Sequence, residues 1–215
     1  MIEWTVIGYP RSGNSWLSRL LADAFQAPIR GLGDEKPMVA EERPIKEVII
    51  YQTHTLALLS PQHINLHIAR DPRGVVVSMY HYWDLSTIDA ALDCLLHADT
   101  APVYLPAWEA YVNQTANCTA LTICYRDLHT QPQEILKTIA AMTALELDEQ
   151  HIETVIARQS IHTALKHATP LHYPLPMHEK SLRLGRVGDW HNYLSESQCA
   201  RLEPLVEVYE TLCSR

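Results

Sequence analysis

Several things are scarce in this 215-residue chain. No apolar run reaches the roughly eighteen residues that a bilayer-spanning helix needs, so no transmembrane segment is expected. The N-terminus lacks the basic stretch and apolar core of a leader: Glu3 comes early and a short strand follows. Basic charge is outnumbered, with 17 Lys and Arg against 25 Asp and Glu and a net charge of −8. That argues against a general nucleic-acid binder, which needs a basic surface, but allows a small anionic ligand in a locally basic site. The five cysteines, Cys94, Cys118, Cys124, Cys199 and Cys213, are an odd number with no C-x-x-C pair. They read as buried or reduced thiols of a cytoplasmic protein. No repeat, low-complexity tract or domain-sized linker is visible, and the histidines at 162, 167, 172 and 178 match no zinc spacing. The remainder is 47% hydrophobic, enough to fold, and the expectation is one domain over 1–215 with no separate N-terminal regulatory domain.

The most informative feature present is the stretch from Val6 to Leu17. Its spacing Gly8-x4-Gly13-x-Ser15 is that of a loop that cradles phosphate, but Asn14 stands where such loops carry lysine. The positive charge comes earlier, on Arg11. Backbone N–H groups at a helix N-terminus can still hold phosphate there, while transfer of the terminal phosphate of ATP is poorly provided for.

Periodicity organises the rest. Strands are expected at 5–8 (preceded by Ile2 and Trp4), 47–53, 64–69 and 120–125. Helices are expected at 15–25, 86–96 (capped by Ser86, with Asp89 at N3), 106–116, 132–144, 147–158 and 196–212, the last bent or interrupted at Pro204. The run Val75-Val76-Val77 favours strand by propensity, yet Pro72 near a helix start and the apolar pattern through Trp83 predict a helix. Residues 28–44 read as irregular, and 169–176 as a proline-broken lid. Strands alternating with helices predict an α/β protein: a P-loop-containing three-layer α/β/α fold with a mostly parallel central sheet.

Four ordered segments now resemble a known family, the sulfotransferases that use 3′-phosphoadenosine 5′-phosphosulfate (PAPS). They are Gly8-Tyr9-Pro10-Arg11-Ser12-Gly13-Asn14-Ser15-Trp16; Gln52-Thr53-His54; Arg70-Asp71-Pro72-Arg73-Gly74 running on to Ser78; and Arg183-Leu184-Gly185-Arg186-Val187-Gly188-Asp189-Trp190. Tyr125-Arg126-Asp127-Leu128 before Pro132 is a weaker fifth. The resemblance implies transfer of a sulfuryl group from PAPS to a hydroxyl, or an amine, with adenosine 3′,5′-bisphosphate (PAP) as product and no metal. It implies that the loop residues Arg11, Ser12, Gly13, Asn14 and Ser15 hold the 5′-phosphosulfate. His54 is the general base, with an ordinary pKa of about 6.5 suited to the task. Arg70 and Ser78 hold the 3′-phosphate and Arg183, Leu184 and Gly185 close on it. Trp16, Tyr125 and Ile161 meet the adenine. Arg11 and Gln52 stand where the family has lysines: arginine keeps the charge in a rigid fork, and glutamine keeps only a hydrogen bond.

Two rivals are a PAPS- or PAP-binding protein with weakened catalysis and an ATP-dependent small-molecule kinase, which needs the missing loop lysine and a metal-holding carboxylate. A purely structural protein has no use for a phosphate loop. The expected acceptor is a hydroxylated small molecule, lipid or carbohydrate, met by rings such as Tyr80, Tyr82, Trp83, Tyr104 and Trp108. The last helix shows no dimerisation signature.

Overall fold

The computed structural model describes residues 1–32, 48–160, 163 and 185–214. The expected ligand residues Ile161, Arg183 and Leu184, the lid at 169–176 and most of segment 28–44 lie outside the described residues. Five strands form one sheet: β1 (Ile2–Ile7), β2 (Ile29–Gly31), β3 (Val48–Thr53), β4 (Ile64–Ala69) and β5 (Leu121–Cys124). Their order is β2-β3-β1-β4-β5, and every pair is parallel. β1 is central, in register from Ile2↔Val48 to Ile7↔Thr53 on one side and from Trp4↔Ile64 to Ile7↔His67 on the other. The expected parallel α/β/α architecture is what the chain adopts.

Helices cover both faces, as a wholly parallel sheet requires. On one side lie α1 (Asn14–Phe25), α5 (Tyr125–Thr130), α6 (Pro132–Ala141) and α7 (Glu149–Arg158). Leu17, Leu20, Leu21 and Phe25 of α1 pack there with Trp4 and Val6 of β1, and the Trp4 and Phe25 rings meet edge to face at 4.6 Å. On the other side are α2 (Pro72–Tyr82), α3 (Ile88–Leu96), α4 (Trp108–Asn117) and α8 (Glu196–Cys213), closing over Ile7 and Ala69.

The conflict at Val75–Val77 resolves as helix. Asp71 caps α2 by accepting from the Arg73 N–H at 2.9 Å, Pro72 occupies its first turn, and all three valines are buried. Burial and a good cap outweigh a β-branched penalty of a few tenths of a kcal/mol per residue. Asp71 pairs with the Arg73 guanidinium at 2.7 Å rather than with Arg70, so Arg70 is not spent on its neighbour. Four other expectations change. The α3 cap is Thr87, whose hydroxyl accepts from the Ala90 N–H, not Ser86. The supposed irregular stretch from 28 opens with the short strand β2. Tyr125 begins a helix rather than ending a strand, a boundary that alternation alone could not set. Helix α8 continues through Pro204.

Cysteine chemistry also differs from the all-thiol expectation. Cys124, at the end of β5, and Cys213, in the last turn of α8, are joined in a disulfide; Cys94, Cys118 and Cys199 are free. The odd count and absent C-x-x-C pair hid this, because partners 89 residues apart leave no local pattern. The bond anchors the C-terminal helix to the sheet. Cys213→Ser, or reduction of the wild type, is expected to lower unfolding stability by about 2–4 kcal/mol, measured by urea unfolding with and without reductant. Identical curves would show that the bond adds nothing to the fold.

Candidate functional site

Because β1 is flanked by β3 and β4, the three strands deliver their C-terminal ends side by side. The chain leaves β1 for α1 on one face of the sheet and leaves β4 for α2 on the other. A crevice between such diverging connections is where open parallel sheets bind ligands. The loop 8–13 fills it from β1, Gln52, Thr53 and His54 from β3, and Arg70 from β4.

Close packing shapes the loop. A Cβ on Gly8 would stand 2.5 Å from the Ile68 carbonyl oxygen, so the loop can hug β4 only with glycine there. Gly13 has φ 109, and a Cβ on it would meet the Tyr125 ring at 2.8 Å. Arg11 also takes a left-handed conformation, φ 71, at a cost of about 1 kcal/mol or more for a residue with a side chain. No side chain caps α1, and its first turn has no acidic residue. Of that turn's N–H groups, those of Trp16 and Leu17 donate to the Gly13 carbonyl at 3.0 and 3.1 Å, those of Asn14 and Ser15 have no carbonyl one turn back within the helix, and the positive end of the helix dipole faces the crevice.

Asn14, in the lysine position, turns its amide nitrogen to the protein: it donates to the carbonyls of Gly8 and Thr53, each at 3.3 Å. The His54 ring lies 2.7 Å from the Gly8 carbonyl through Nδ1. A carbonyl only accepts, so Nδ1 carries the proton and Nε2 is left with its lone pair. Burial pushes the His54 pKa below its ordinary value; the bond to Gly8 opposes this, and the Arg11 charge adds to it. The backbone of His54 is held in turn by the Tyr111 hydroxyl, 2.8 Å from its carbonyl.

Two guanidinium groups stand over the same crevice. Arg11 donates from Nε to Ser78 Oγ at 3.2 Å and lies over the Tyr82 ring at 3.9 Å. Arg70 donates to the Arg11 carbonyl at 2.9 Å and lies over the Tyr125 ring at 4.4 Å. Burial lowers the Arg11 pKa to about 10; Tyr82 opposes that shift and the charge of Arg70 adds to it. Bringing two cations together is unfavourable until an anion joins them, and arginine's fork suits a phosphate. Ser12 Oγ, Asn14 Oδ1 and Gln52 Oε1 are buried with no hydrogen-bond partner among the described residues. The uncapped helix end with its two arginines fits phosphate groups.

One wall of the crevice is aromatic. Trp16 meets Tyr125 at 5.7 Å and His129 at 4.5 Å between centroids, and its Nε1 donates to the Gln159 carbonyl at 3.0 Å. Gly185 takes a left-handed conformation, φ 56. Trp190 stacks on Arg73 at 4.0 Å, beside α2. Tyr111 and His129 were not singled out from the sequence; nothing in their spacing separates a site residue from a core one. Among the described residues no three His, Cys, Asp or Glu side chains gather as metal ligands, and no helix is long and apolar enough to cross a membrane.

Residues 40–212 match the family described as "Sulfotransferase domain". The chain is 24% identical over 237 residues to "Sulfotransferase 1A1" of Rattus norvegicus, covering 91% of this chain and 80% of that protein. It is 25% identical over 230 residues to "Sulfotransferase 2B1" of Homo sapiens, covering 90% of this chain and 62% of that one. In fold it is similar to mouse sulfotransferase SULT7A1 complexed with PAP, with a TM-score of 0.74 at 22% identity over 95% of this chain and 83% of the other. It is also similar to retinol dehydratase in complex with androsterone and PAP, with a TM-score of 0.69 at 16% identity over 96% and 80%.

Gly13→Ala should unseat the loop, because the added methyl combines a disfavoured φ with a clash against Tyr125. A loss of about 1–3 kcal/mol is expected, read by urea unfolding. An unchanged midpoint would mean that the loop shifts freely.

Proposed function

The chain belongs to the family of PAPS-dependent sulfotransferases, and from that premise we propose that it transfers the sulfuryl group of PAPS to the hydroxyl of a small-molecule acceptor, with His54 as general base. One observation carries this reading: an uncapped helix N-terminus, two converging arginines and a histidine with Nε2 bearing the lone pair all meet at the ends of three adjacent strands. The loop N–H groups from Gly13 to Ser15, with Ser12 and Arg11, receive the 5′-phosphosulfate. Arg70 and Ser78 receive the 3′-phosphate, which ATP lacks, with Arg183, Leu184 and Gly185 completing that end. Trp16, Tyr125 and Ile161 form the adenine wall. The acceptor oxygen forms its bond to sulfur as the bond from sulfur to the 5′-phosphate oxygen breaks. The hydroxyl proton passes to His54 Nε2, and PAP leaves with its new charge facing Arg11 and the helix terminus. Gln52, beside the histidine, offers a hydrogen bond to the transferring group.

A binder with weakened catalysis is the second reading, favoured by Arg11 and Gln52 in place of lysines. Asn14, engaged with Gly8 and Thr53, speaks against an ATP-dependent kinase.

Calorimetric titration should show PAP binding more tightly than ADP or adenosine 5′-phosphate, with Arg70→Ala removing the preference; equal affinities would sink the donor assignment. In acceptor screens with PAPS, His54→Ala should lower turnover about 10²–10⁴-fold while PAP affinity changes little. Equal turnover would remove His54 as base, and no turnover by wild type with any acceptor class would favour the weakened binder. The pH profile follows from the depressed His54 pKa. The base works when neutral and is protonated only below that pKa, so the acidic limb of kcat/KM, which reports the free enzyme, is expected to fall below pH 6.5. A limb above that value would contradict His54 as the titrating group.

A further inference from the structure

Helix α1 presents a hydrogen-bonding stripe at i, i+3 and i+7: the partly buried Trp16 and the buried Arg19 and Asp23. All three meet the end of α7. Asp23 accepts from both arms of the Arg158 guanidinium and, through Oδ2, from the Gln159 side-chain amide at 2.8 Å. The Gln159 amide oxygen accepts from Arg19 Nη2 at 2.9 Å, and the Gln159 backbone carbonyl accepts the Trp16 indole N–H at 3.0 Å. Arg19 and Gln159 are almost fully buried, as is Asp23. Gln159 therefore uses its amide nitrogen, its amide oxygen and its backbone carbonyl on a single helix face.

Around this seam the same two helices pack through apolar residues, Leu20, Ala24, Ile152 and Val155 among them. Apolar packing stabilises a helix contact at least as well as a buried ion pair does, so stability alone does not account for charges here. What the polar seam adds is fixed geometry. Gln159 caps α7, its own N–H donates to the Val155 carbonyl at 2.8 Å, and its carbonyl is one of the helix-end acceptors that need an outside donor. That donor is Trp16, the ring that also touches Tyr125 and His129. The seam holds the helix end, the helix end holds the indole, and the indole forms part of the base wall.

We propose that Asp23 and Gln159 are positioning residues for the nucleotide donor: they lock the end of α7 to α1 so that Trp16 is held in place to receive the base. This rests on the reading of Trp16 and Tyr125 as the adenine wall. It locates base affinity in a contact that touches no ligand atom, one helix turn and more from the phosphate loop.

Two ligands separate the proposal from that reading: PAP, and ribose 3,5-bisphosphate, which has both phosphates and no base. Calorimetry on wild type should show PAP binding more tightly. Asp23→Asn keeps the shape and removes the charge that holds Arg158; Gln159→Met keeps the length and removes both side-chain bonds. Each is expected to weaken PAP about tenfold, as loss of a buried hydrogen bond to a charged group does, and to leave ribose 3,5-bisphosphate within about twofold. KM for PAPS should rise with kcat nearly constant, since the phosphate end and His54 are untouched. If Gln159→Met does not fold, Asp23→Asn decides alone. Equal weakening of both ligands, or of neither, overturns the positioning role. A wild type that binds the two ligands equally overturns the adenine-wall reading instead.

Discussion

The carbonyl of Gly8 is the point on which the head of the sheet depends. It directly follows β1, the central strand, and it accepts from His54 Nδ1 and from the Asn14 amide. Those donors come from the residue that follows β3 and from the first residue of α1. One oxygen thus ties the histidine to the phosphate loop and fixes which ring nitrogen keeps its lone pair. The oxygen can be there only because the residue is glycine: any side chain would strike the Ile68 carbonyl of the neighbouring strand. The tautomer of His54, and with it any role as a base, therefore traces to the absence of a side chain forty-six positions earlier.

Electrostatics at this point is unbalanced by construction. An acidic protein places two guanidinium groups and an open helix end in one crevice, and lowers the proton affinity of both Arg11 and His54 there. Each shift is led by desolvation, and cationic neighbours add to it. The arrangement is costly without an anion and favourable with one, which is how a locally positive site can be selective on a surface of the opposite sign. Stacking on Tyr82 and Tyr125 keeps the two arginines extended over the crevice.

Much of this was legible in the sequence, and the limits are physical. The loop, the strand-end histidine and Arg70 could be placed because their environments are set locally, by a strand stopping and a glycine turning. The helix at Val75–Val77 was readable once Pro72 was weighed against propensity. Asp71 was harder: nothing in Arg70-Asp71-Pro72-Arg73 says which arginine it pairs with until the cap geometry of α2 turns it toward Arg73. The disulfide and the Asp23–Gln159 seam were invisible for a different reason. Their partners are separated by 89 and 136 residues, and a cysteine, an aspartate or a glutamine carries no trace of a partner that distant. Tyr125 was recognised, but as a strand residue, because a four-residue strand running directly into a helix offers no turn signal between them.

The order of strands in the sheet has a consequence for how the protein comes into being. β1 is made first but cannot be completed alone: its two edges wait for β3 and then for β4, and the crevice exists only when both have docked in register. Such non-local parallel pairing is late and slow compared with the formation of local helices. A chain that has its helices but not its sheet has no anion site at all. A phosphate-bearing ligand held in that crevice would engage only the finished topology, and by mass action would withdraw from the folding equilibrium only those molecules that have threaded their strands correctly.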